Sequence, residues 1–108
     1  MSTDDDPKFI NIAAYRFVEL DRLKSRRAAL RKLCSASGLK GTILLSVEGI
    51  NVFVSGARPG VARLLAELRS WPGLADLDIK ESMSDRHTFR RMLVKIKREI
   101  IAFGRPTT

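Results

Sequence analysis

Hydrophobic and polar residues alternate in several short stretches of this chain. The first alternation covers Phe9–Val18 and predicts a strand, because successive side chains of a strand point to opposite faces. Two further alternating stretches follow at Lys40–Val47 and Ile50–Ser55. Only Glu48 and Gly49 separate them, which predicts a tight hairpin with Gly49 at a positive φ.

Two other stretches have apolar residues at helical spacing. The first helix is expected to begin at an Asp21 N-cap and to end near Gly38, because glycine favours the left-handed turn that closes helices. The second helix is predicted by Val61, Leu64, Leu65, Leu68 and Trp71, which fall three or four residues apart along most of this stretch. Pro59 suits its first turn, and Pro72 with Gly73 suits its end.

The C-terminal third adds two more predicted strands. Leu77 and Ile79 alternate with charged neighbours and predict a fourth strand, and Met92–Ile101 predicts a fifth. The fifth is expected at a sheet edge, since its lysines resist further pairing. The order βαββαβ with one extra C-terminal strand predicts a ferredoxin-like, split βαβ fold of the α+β class. Two helices would cover one face of an antiparallel sheet, within one domain at residues 9–104 after a disordered tail at residues 1–8.

The charge of the chain favours an anionic partner. Twenty Lys and Arg residues against twelve Asp and Glu give a net charge of +8, which attracts polyanions through counterion release. Many of these cations lie in the first helix (Arg22, Lys24, Arg26, Arg27, Arg31 and Lys32) and the C-terminal segment (Arg86, Arg90, Arg91, Lys95, Lys97, Arg98 and Arg105). The sequence therefore favours nucleic-acid contact over charge that serves solubility alone.

Several classes of site find little support in the sequence. The apolar runs are too short for a membrane span and the acidic N-terminus lacks a secretory signal, so we expect a cytoplasmic protein without membrane contact. One cysteine and one histidine cannot enclose a structural zinc, and we expect no metal and no cofactor. Cys34 lies on the apolar stripe of a helix and is expected in the core. His87 is expected in a loop, facing phosphate or solvent rather than acting as a general base.

Cationic residues of the last predicted strand form a candidate RNA-binding row. Lys95 and Lys97 share a face, and Arg91 would continue the row. Such a row suits contact with a nucleic-acid backbone, which needs no base recognition. The alternative is a solvated edge that its charges protect from pairing.

Aromatic residues provide a second candidate contact. Tyr15, Arg16 and Phe17 of the first strand are expected to neighbour Phe53 of the third strand, because these strands are often adjacent in this topology. Phe53 alternates with apolar residues and is expected on the open face of the sheet. It would either stack on a base there or pack on a second domain.

Three short motifs carry a resemblance to a known family. They are Leu39-Lys40-Gly41, Glu48-Gly49-Ile50-Asn51 and Ser55-Gly56. With them, the chain resembles the N-terminal domain of the rhodanese-related tRNA uridine hydroxylase family, formerly grouped with sulfurtransferases. The stretch Tyr15-Arg16-Phe17 and the basic C-terminal strand agree with the resemblance. The chain departs from it at Val52-Phe53, where the family usually has Gly-Thr.

The resemblance implies an enzyme that oxidises the wobble uridine of tRNA to its hydroxylated form with molecular oxygen. It also implies a rhodanese-like domain, absent from this chain, that carries the active-site cysteine. The domain described by this sequence would hold the anticodon region or pack on that rhodanese domain, without catalysing the reaction alone. Lys40, Glu48 and Asn51 of the shared motifs join the candidate binding residues. Glu48 and Asn51 would form a polar turn facing substrate or partner domain, or would only stabilise the hairpin.

Two other functions share this fold. A stand-alone RNA-binding module is one, although Ile50–Ser55 lacks the Lys/Arg-Gly-Phe-Gly-Phe pattern such modules carry on their third strand. A ligand-sensing or dimerisation domain is the other, and the basic composition argues against it.

Overall fold

A computed structural model of the protein describes residues 8–98. The elements in chain order are β1 (Phe9–Phe17), α1 (Leu23–Ala36), β2 (Lys40–Ser46), β3 (Gly49–Gly56), α2 (Arg58–Arg69), β4 (Lys80–Ser84) and β5 (Met92–Ile96). Of the tail predicted at residues 1–8, residues 1–7 lie outside the described residues, as does the predicted continuation of the last strand at residues 99–101. The last strand, predicted to start at Met92, does start there and ends at Ile96.

The five strands form one sheet in the order β4-β1-β3-β2-β5. β1 pairs antiparallel with β3 and β4, and β2 pairs antiparallel with β3. The predicted ferredoxin-like α+β fold is confirmed, with β5 as an additional edge strand. One feature of the prediction is corrected, because β5 pairs parallel to β2 and makes the sheet mixed. The chain after β4 crosses from one sheet edge to the other and enters β5 in the direction of β2.

Both helices pack on the same face of the sheet. Leu30 of α1 and Leu64 of α2 are fully buried, and they lie over the equally buried Ile43, Val52 and Val94 of the strands. Full burial of one such side chain stabilises the fold by about 2 kcal/mol. The aliphatic residues of the sheet are thus concentrated on the face that the helices cover.

The start of α1 differs from the prediction. Arg22, not Asp21, is the N-cap residue, with a left-handed backbone at φ 52°. The Asp21 carboxylate accepts a hydrogen bond from Arg26 at 3.1 Å instead of capping the helix. The Arg26 guanidinium also lies 4.5 Å from the centre of the Trp71 ring, a cation–π contact. Asp21 therefore orients the Arg26 side chain, which joins α1 to Trp71 just after α2.

The β2–β3 hairpin turns one residue earlier than predicted. Ser46 pairs with Gly49, so Val47 and Glu48 are the two turn residues, and Val47 is 58% exposed rather than part of the buried face. Gly49 has a φ of +152°, the predicted positive value. A Cβ atom at Gly49 would lie 2.1 Å from the carbonyl oxygen of Arg16. The glycine is thus required by the close approach of β1 as well as by the turn.

The fourth strand also begins later than predicted. Leu77 and Ile79 precede β4, and Leu77 is buried from a turn in which its N–H donates to the Leu74 carbonyl at 3.1 Å. Arg69 donates to the Leu77 carbonyl at 2.8 Å and holds this turn against α2. The alternation of Leu77 and Ile79 therefore belongs to an irregular segment that packs into the core, and not to a strand. The strand itself, Lys80–Ser84, is mostly exposed and has little apolar signal.

Substitution of Gly49 by alanine tests the close approach of β1 and β3. We expect Gly49→Ala to lower the free energy of unfolding by about 3 kcal/mol, because the new methyl group forces the two backbones apart in an already strained region. Gly38→Ala is the matched control. Gly38 also has a positive φ, of 67°, but a Cβ there meets nothing within 4 Å, so about 1 kcal/mol is expected. Urea unfolding of the two variants measures the difference, and equal losses would contradict the interpretation.

Candidate functional site

The face of the sheet that the helices leave uncovered, called the open face below, carries the candidate residues. Alternation and strand register place on it Phe9, Asn11, Ala13, Tyr15 and Phe17 of β1, Lys40, Thr42, Leu44 and Ser46 of β2, Asn51, Phe53 and Ser55 of β3, Lys80, Ser82 and Ser84 of β4, and Leu93 and Lys95 of β5. Three lysines and no carboxylate stand at these strand positions. The open face is therefore cationic, with small and aromatic side chains between the lysines.

The predicted basic row follows one edge of the open face. Lys95 is exposed on β5 and lies opposite Leu44 of β2. Lys97 and Arg91 are exposed directly beyond the two ends of β5. Their backbones extend the pairing, because Lys97 N–H donates to the Leu45 carbonyl and Gly41 N–H to the Arg91 carbonyl, both at 2.7 Å. The strand thus presents charge along the edge while its backbone stays fixed to β2.

The aromatic residues of β1 and β3 divide into two groups. Phe53 lies in the middle of the open face, where its direct neighbours across the sheet are Ala13 and Thr42. Tyr15 and Phe17 lie nearer the hairpin end, 42% and 55% exposed, with ring centres 6.0 Å apart in an edge-to-face arrangement. The predicted adjacency of β1 and β3 is confirmed.

The connection between β4 and β5 folds back over the other end of the open face. The His87 ring packs on Phe9 with centres 4.3 Å apart, and the Thr88 hydroxyl donates to Asn11 Oδ1 at 2.8 Å. These contacts hold the β4–β5 connection over the open face, near Phe53. A groove of about 350 Å³ results, lined by Asn11, Ile12, Ala13, Phe53, Lys80, Glu81, Ser82, Thr88 and Phe89.

The remaining candidate residues have different surroundings. Arg16 faces the helix side, where its guanidinium donates to the Asp76 carboxylate at 3.1 Å and to the Gly73 carbonyl at 3.1 Å. The Arg16 guanidinium holds the pKa of Asp76 below its usual range. Asn51 is on the open face but only 4% exposed, between Tyr15 and Leu44. Arg16 thus ties β1 to the segment after α2, and direct contact with RNA stays a prediction for both Arg16 and Asn51.

Lys40 and Glu48 lie at opposite ends of the sheet. Lys40 is half-buried opposite Ser55 and close enough to His87 to lower the pKa of its imidazole. Glu48 is exposed in the hairpin turn, where its N–H donates to the Ser46 hydroxyl oxygen at 3.0 Å and its carbonyl accepts from Val18 N–H at 2.9 Å. Glu48 and Asn51 do not form one exposed polar turn, because Asn51 is buried inside the sheet.

The single cysteine and the single histidine have different surroundings. Cys34 is fully buried, and burial raises the pKa of its thiol to about 11, as expected for a core residue. His87 is half-buried, and its Nδ1 lies 3.4 Å from the Ser55 hydroxyl. Burial and then the charge of Lys40 lower the pKa of His87 below 6.5. The imidazole is consequently neutral at pH 7.

Sequence analysis missed two residues of the groove. Lys80 is one of the charged neighbours of Ile79 in the predicted fourth strand, and its position on the open face follows from its pairing with Ala13. Phe89 belongs to a polar segment with no periodicity, so no local pattern indicates that it reaches the sheet. Only the contacts of His87 and Thr88 with β1 place Phe89 beside Phe53.

A family comparison accounts for most of the chain. The family model described as the UPF0176 acylphosphatase-like domain matches residues 9–100. The chain belongs to this family. The match covers both helices and all five strands, including the open face and the groove.

Curated relatives extend the comparison. A protein of Cupriavidus taiwanensis named tRNA uridine(34) hydroxylase is 46% identical over 99 residues, covering 92% of this chain and 35% of that protein. One of the same name from Burkholderia thailandensis is 48% identical over 101 residues, covering 90% of this chain and 34% of that protein. The chain thus spans about a third of the length of these relatives.

Solved structures share the fold at low sequence identity. The dark-state structure of the BLUF protein BlrB superposes with a TM-score of 0.55 at 14% identity, covering 84% of this chain and 74% of that one. Full-length HypF, in its phosphate- and nucleotide-bound form, gives 0.54 at 15% identity, covering 81% of this chain and 12% of that one. At such identities these matches concern the fold alone.

Two kinds of site are not found between residues 8 and 98. Neither α1 nor α2 combines the length and apolar composition that crossing a bilayer requires. In the same part of the chain, no group of three His, Cys, Asp or Glu side chains is arranged to hold a metal ion. The candidate site that this part of the chain does contain is the cationic and aromatic surface of the open face.

The titration of His87 tests the electrostatics of the open face. We expect its imidazole to titrate below pH 6.5 and Lys40→Met to raise that midpoint, because the substitution removes a nearby positive charge. Lys24→Met, an exposed lysine of α1, should leave the midpoint unchanged. Proton NMR can follow the only histidine of the chain. Since folding lowers the pKa of His87, its contribution to stability is present above pH 6.5 and is lost as the pH falls. A midpoint that does not respond to Lys40→Met would contradict this account.

Proposed function

We propose that this chain is the acylphosphatase-like domain of a protein that oxidises uridine 34 of tRNA, the wobble position, to its hydroxylated form. The observation that supports the proposal most is the 46–48% identity, over at least 90% of this chain, to proteins named tRNA uridine(34) hydroxylase. The share of those relatives that the chain leaves unmatched is large enough for a separate catalytic domain.

The role proposed for this domain is binding rather than chemistry. Its thiol is buried, with a pKa of about 11, and its imidazole is packed against Phe9. A thiol of that pKa remains protonated at pH 7 and is a poor nucleophile. The resemblance to rhodanese-related hydroxylases assigns the reacting cysteine and the use of molecular oxygen to a rhodanese-like domain of the same polypeptide. Because its substrate would be tRNA, we propose a cytoplasmic location for the protein.

The charge of the open face supports tRNA as the partner. Lys95 and Lys97 line one edge and Lys80 the other, without an acidic residue among the strand positions of this face. Such an arrangement attracts a phosphate backbone and helps to fix its register. We propose that the domain holds the anticodon region of tRNA so that uridine 34 reaches the catalytic domain.

Nucleoside analysis of cellular tRNA tests the proposed reaction. Deleting the gene that encodes this chain should remove the position-34 uridine derivative that carries one additional oxygen atom. Supplying the intact gene should restore it. Mass spectrometry of digested tRNA measures both results, and unchanged modification after the deletion would reject the proposed activity.

The role of the domain is tested in the same cells by charge removal. A gene carrying Lys95→Ala and Lys97→Ala should restore the modified nucleoside several-fold less well than the intact gene, because two phosphate contacts are lost. The matched control is Lys24→Ala with Lys32→Ala, which removes two exposed lysines from α1. Equal restoration by the two double variants would argue against tRNA contact at the β5 edge.

A further inference from the structure

Two stretches of the chain contain many cations and no acid. Residues 22–47, which include α1 and β2, have no Asp or Glu, and neither do residues 86–98, which include β5. Together they hold thirteen of the twenty Lys and Arg residues of the chain. The fold places the two stretches side by side, because β5 pairs parallel with β2 and Arg27 of α1 donates to the Val94 carbonyl of β5 at 3.1 Å. The β5 edge of the sheet and the helix beside it are therefore built from acid-free segments.

A cleft lies at this edge, between the end of α1 and the starts of β2 and β5, and is called the α1–β2 cleft below. Its volume is about 470 Å³, within the range of small-molecule sites. The parallel pairing explains its position, because it brings the first residues of β2 and β5 to the same end of the sheet. The lining residues are Arg31, Ser35, Gly38, Leu39, Lys40 and Met92.

The charge in the α1–β2 cleft is positive. Arg31 and Lys40 line it, and no carboxylate does. Within residues 8–98, neither of these two cations forms a salt bridge. The cations that do are Lys8, Arg16, Arg26 and Arg58. Because Lys40 is half-buried, its charge is also less screened than that of a fully exposed lysine. An anion in the cleft would thus meet two positive charges that no acid of the described chain neutralises.

Three other grooves on the described part of the chain are less suited to an anion, because each has a carboxylate in its lining. Asp78 lines the groove along the end of β1, and Glu81 lines the groove below the β4–β5 connection. Glu19 and Asp21 line a third groove beside the hairpin turn. An anionic ligand is consequently favoured at the α1–β2 cleft.

The end of α1 opposes an anion in the cleft, but weakly. A helix C-terminus carries about half an elementary negative charge. Its last carbonyl groups already accept hydrogen bonds from the backbone N–H groups of residues 37–39, at 3.0 to 3.3 Å. Arg63 of α2 adds another cation at the same end, since its guanidinium donates to the Ser37 hydroxyl oxygen at 3.3 Å. The full positive charges of Arg31 and Lys40 outweigh the partial charge of the helix end.

We propose that the α1–β2 cleft binds a phosphate group, with the Arg31 guanidinium and the Lys40 ammonium as its charged ligands. Arginine suits this role because its planar fork donates two hydrogen bonds to one phosphate, and lysine adds a compact point charge. Ser35 lies four residues after Arg31 on the same side of α1, so its hydroxyl is a further donor to the same group. The volume leaves room for part of the molecule that carries the phosphate.

The site itself does not depend on the proposed function, but the identity of the carrier molecule rests on it. If the domain holds tRNA, the cleft adds a phosphate contact to the β5 edge. Met92 at the cleft is the first residue of β5, and Lys95 lies about 10 Å further along the same strand. A small phosphate compound is the other source of the same chemical group, and the experiment below distinguishes the two.

Calorimetric titration of the 108-residue protein with inorganic phosphate, at constant ionic strength in chloride, tests the site. We expect saturable binding. Arg31→Gln and Lys40→Gln should each weaken it about tenfold, the effect of one lost charge-assisted hydrogen bond. Lys24→Gln is the matched control, because Lys24 is an exposed lysine of α1 about 10 Å from Arg31 along the helix. Its affinity should equal that of the unaltered protein.

A second pair of variants tests the position of the site without removing a cation. Ser35 and Ser25 are both exposed on α1, so neither substitution disturbs the core. Ser35→Glu places a carboxylate in the cleft and should abolish phosphate binding. Ser25→Glu changes the net charge by the same amount at the other end of the helix and should retain it. Ser35→Gln, which matches glutamate in size, should retain binding as well.

A salt series with unmodified tRNA identifies the carrier. If an RNA phosphate occupies the cleft, Arg31→Gln should reduce the slope of log affinity against log salt by about 1, the effect of one phosphate contact. Lys24→Gln should leave the slope unchanged. An unchanged slope in Arg31→Gln, together with its loss of inorganic phosphate binding, would assign the cleft to a small phosphate compound.

Three results would overturn the proposal. They are phosphate heats that do not saturate, equal phosphate affinity of Arg31→Gln and Lys24→Gln, and equal phosphate affinity of Ser35→Glu and Ser25→Glu. The two equalities would mean that the chain attracts phosphate only through its overall charge. Phosphate binding that is lost in Ser35→Glu, combined with unchanged nucleosides in the gene deletion, would retain the site and reject the hydroxylase function.

Discussion

The register of β3 between β1 and β2 is the constraint on which the rest of the structure depends. Two glycines fix it by allowing backbones to approach closely: a Cβ at Gly49 would meet the Arg16 carbonyl oxygen of β1, and one at Gly41 would lie 2.0 Å from the Phe53 carbonyl oxygen of β3. A slip of one residue would exchange the two faces of the strand. Val52 would then leave the core and Phe53 would enter it. The same pairing that forms the core therefore decides that an aromatic ring stands on the open face.

Fixing this register also separates the basic residues into two groups with different roles. On the helix side, cations are held by neighbouring elements: Arg26 lies against Trp71, and Arg27 donates to the Val94 carbonyl at 3.1 Å, joining α1 to β5. Arg16 similarly ties β1 to the segment after α2. The lysines of the open face have no carboxylate at the strand positions beside them. Part of the net charge of +8 is therefore engaged on the helix side, whereas the strand positions of the open face hold three lysines and no carboxylate.

Sequence patterns predicted the fold because the core obeys simple periodicities. The i, i+3, i+4 spacing of α2 and the alternation of β1 and β3 follow directly from burial on one face. The errors occurred where another interaction outweighed the local pattern. Leu77 and Ile79 alternate as a strand would, but a turn held by Arg69 packs Leu77 into the core. Asp21 resembles an N-cap, but its carboxylate binds Arg26. Both depend on arginine side chains five and eight residues away along the chain, whose hydrogen bonds hydrophobic periodicity does not reveal.

The candidate site was predictable to the extent that it lies on strands. Alternation alone predicted Phe53 on the open face and a shared face for Lys95 and Lys97, whereas the groove needs a second wall that no periodicity predicts. That wall exists because His87 packs on Phe9 and Thr88 binds Asn11, which brings Phe89 over the sheet. One wall of the groove is thus a central strand paired on both sides, and the other is a connection held by a few side-chain contacts. The energetic consequence is that Phe53 is positioned by the fold itself, whereas the width of the groove depends on contacts of about 1 kcal/mol each.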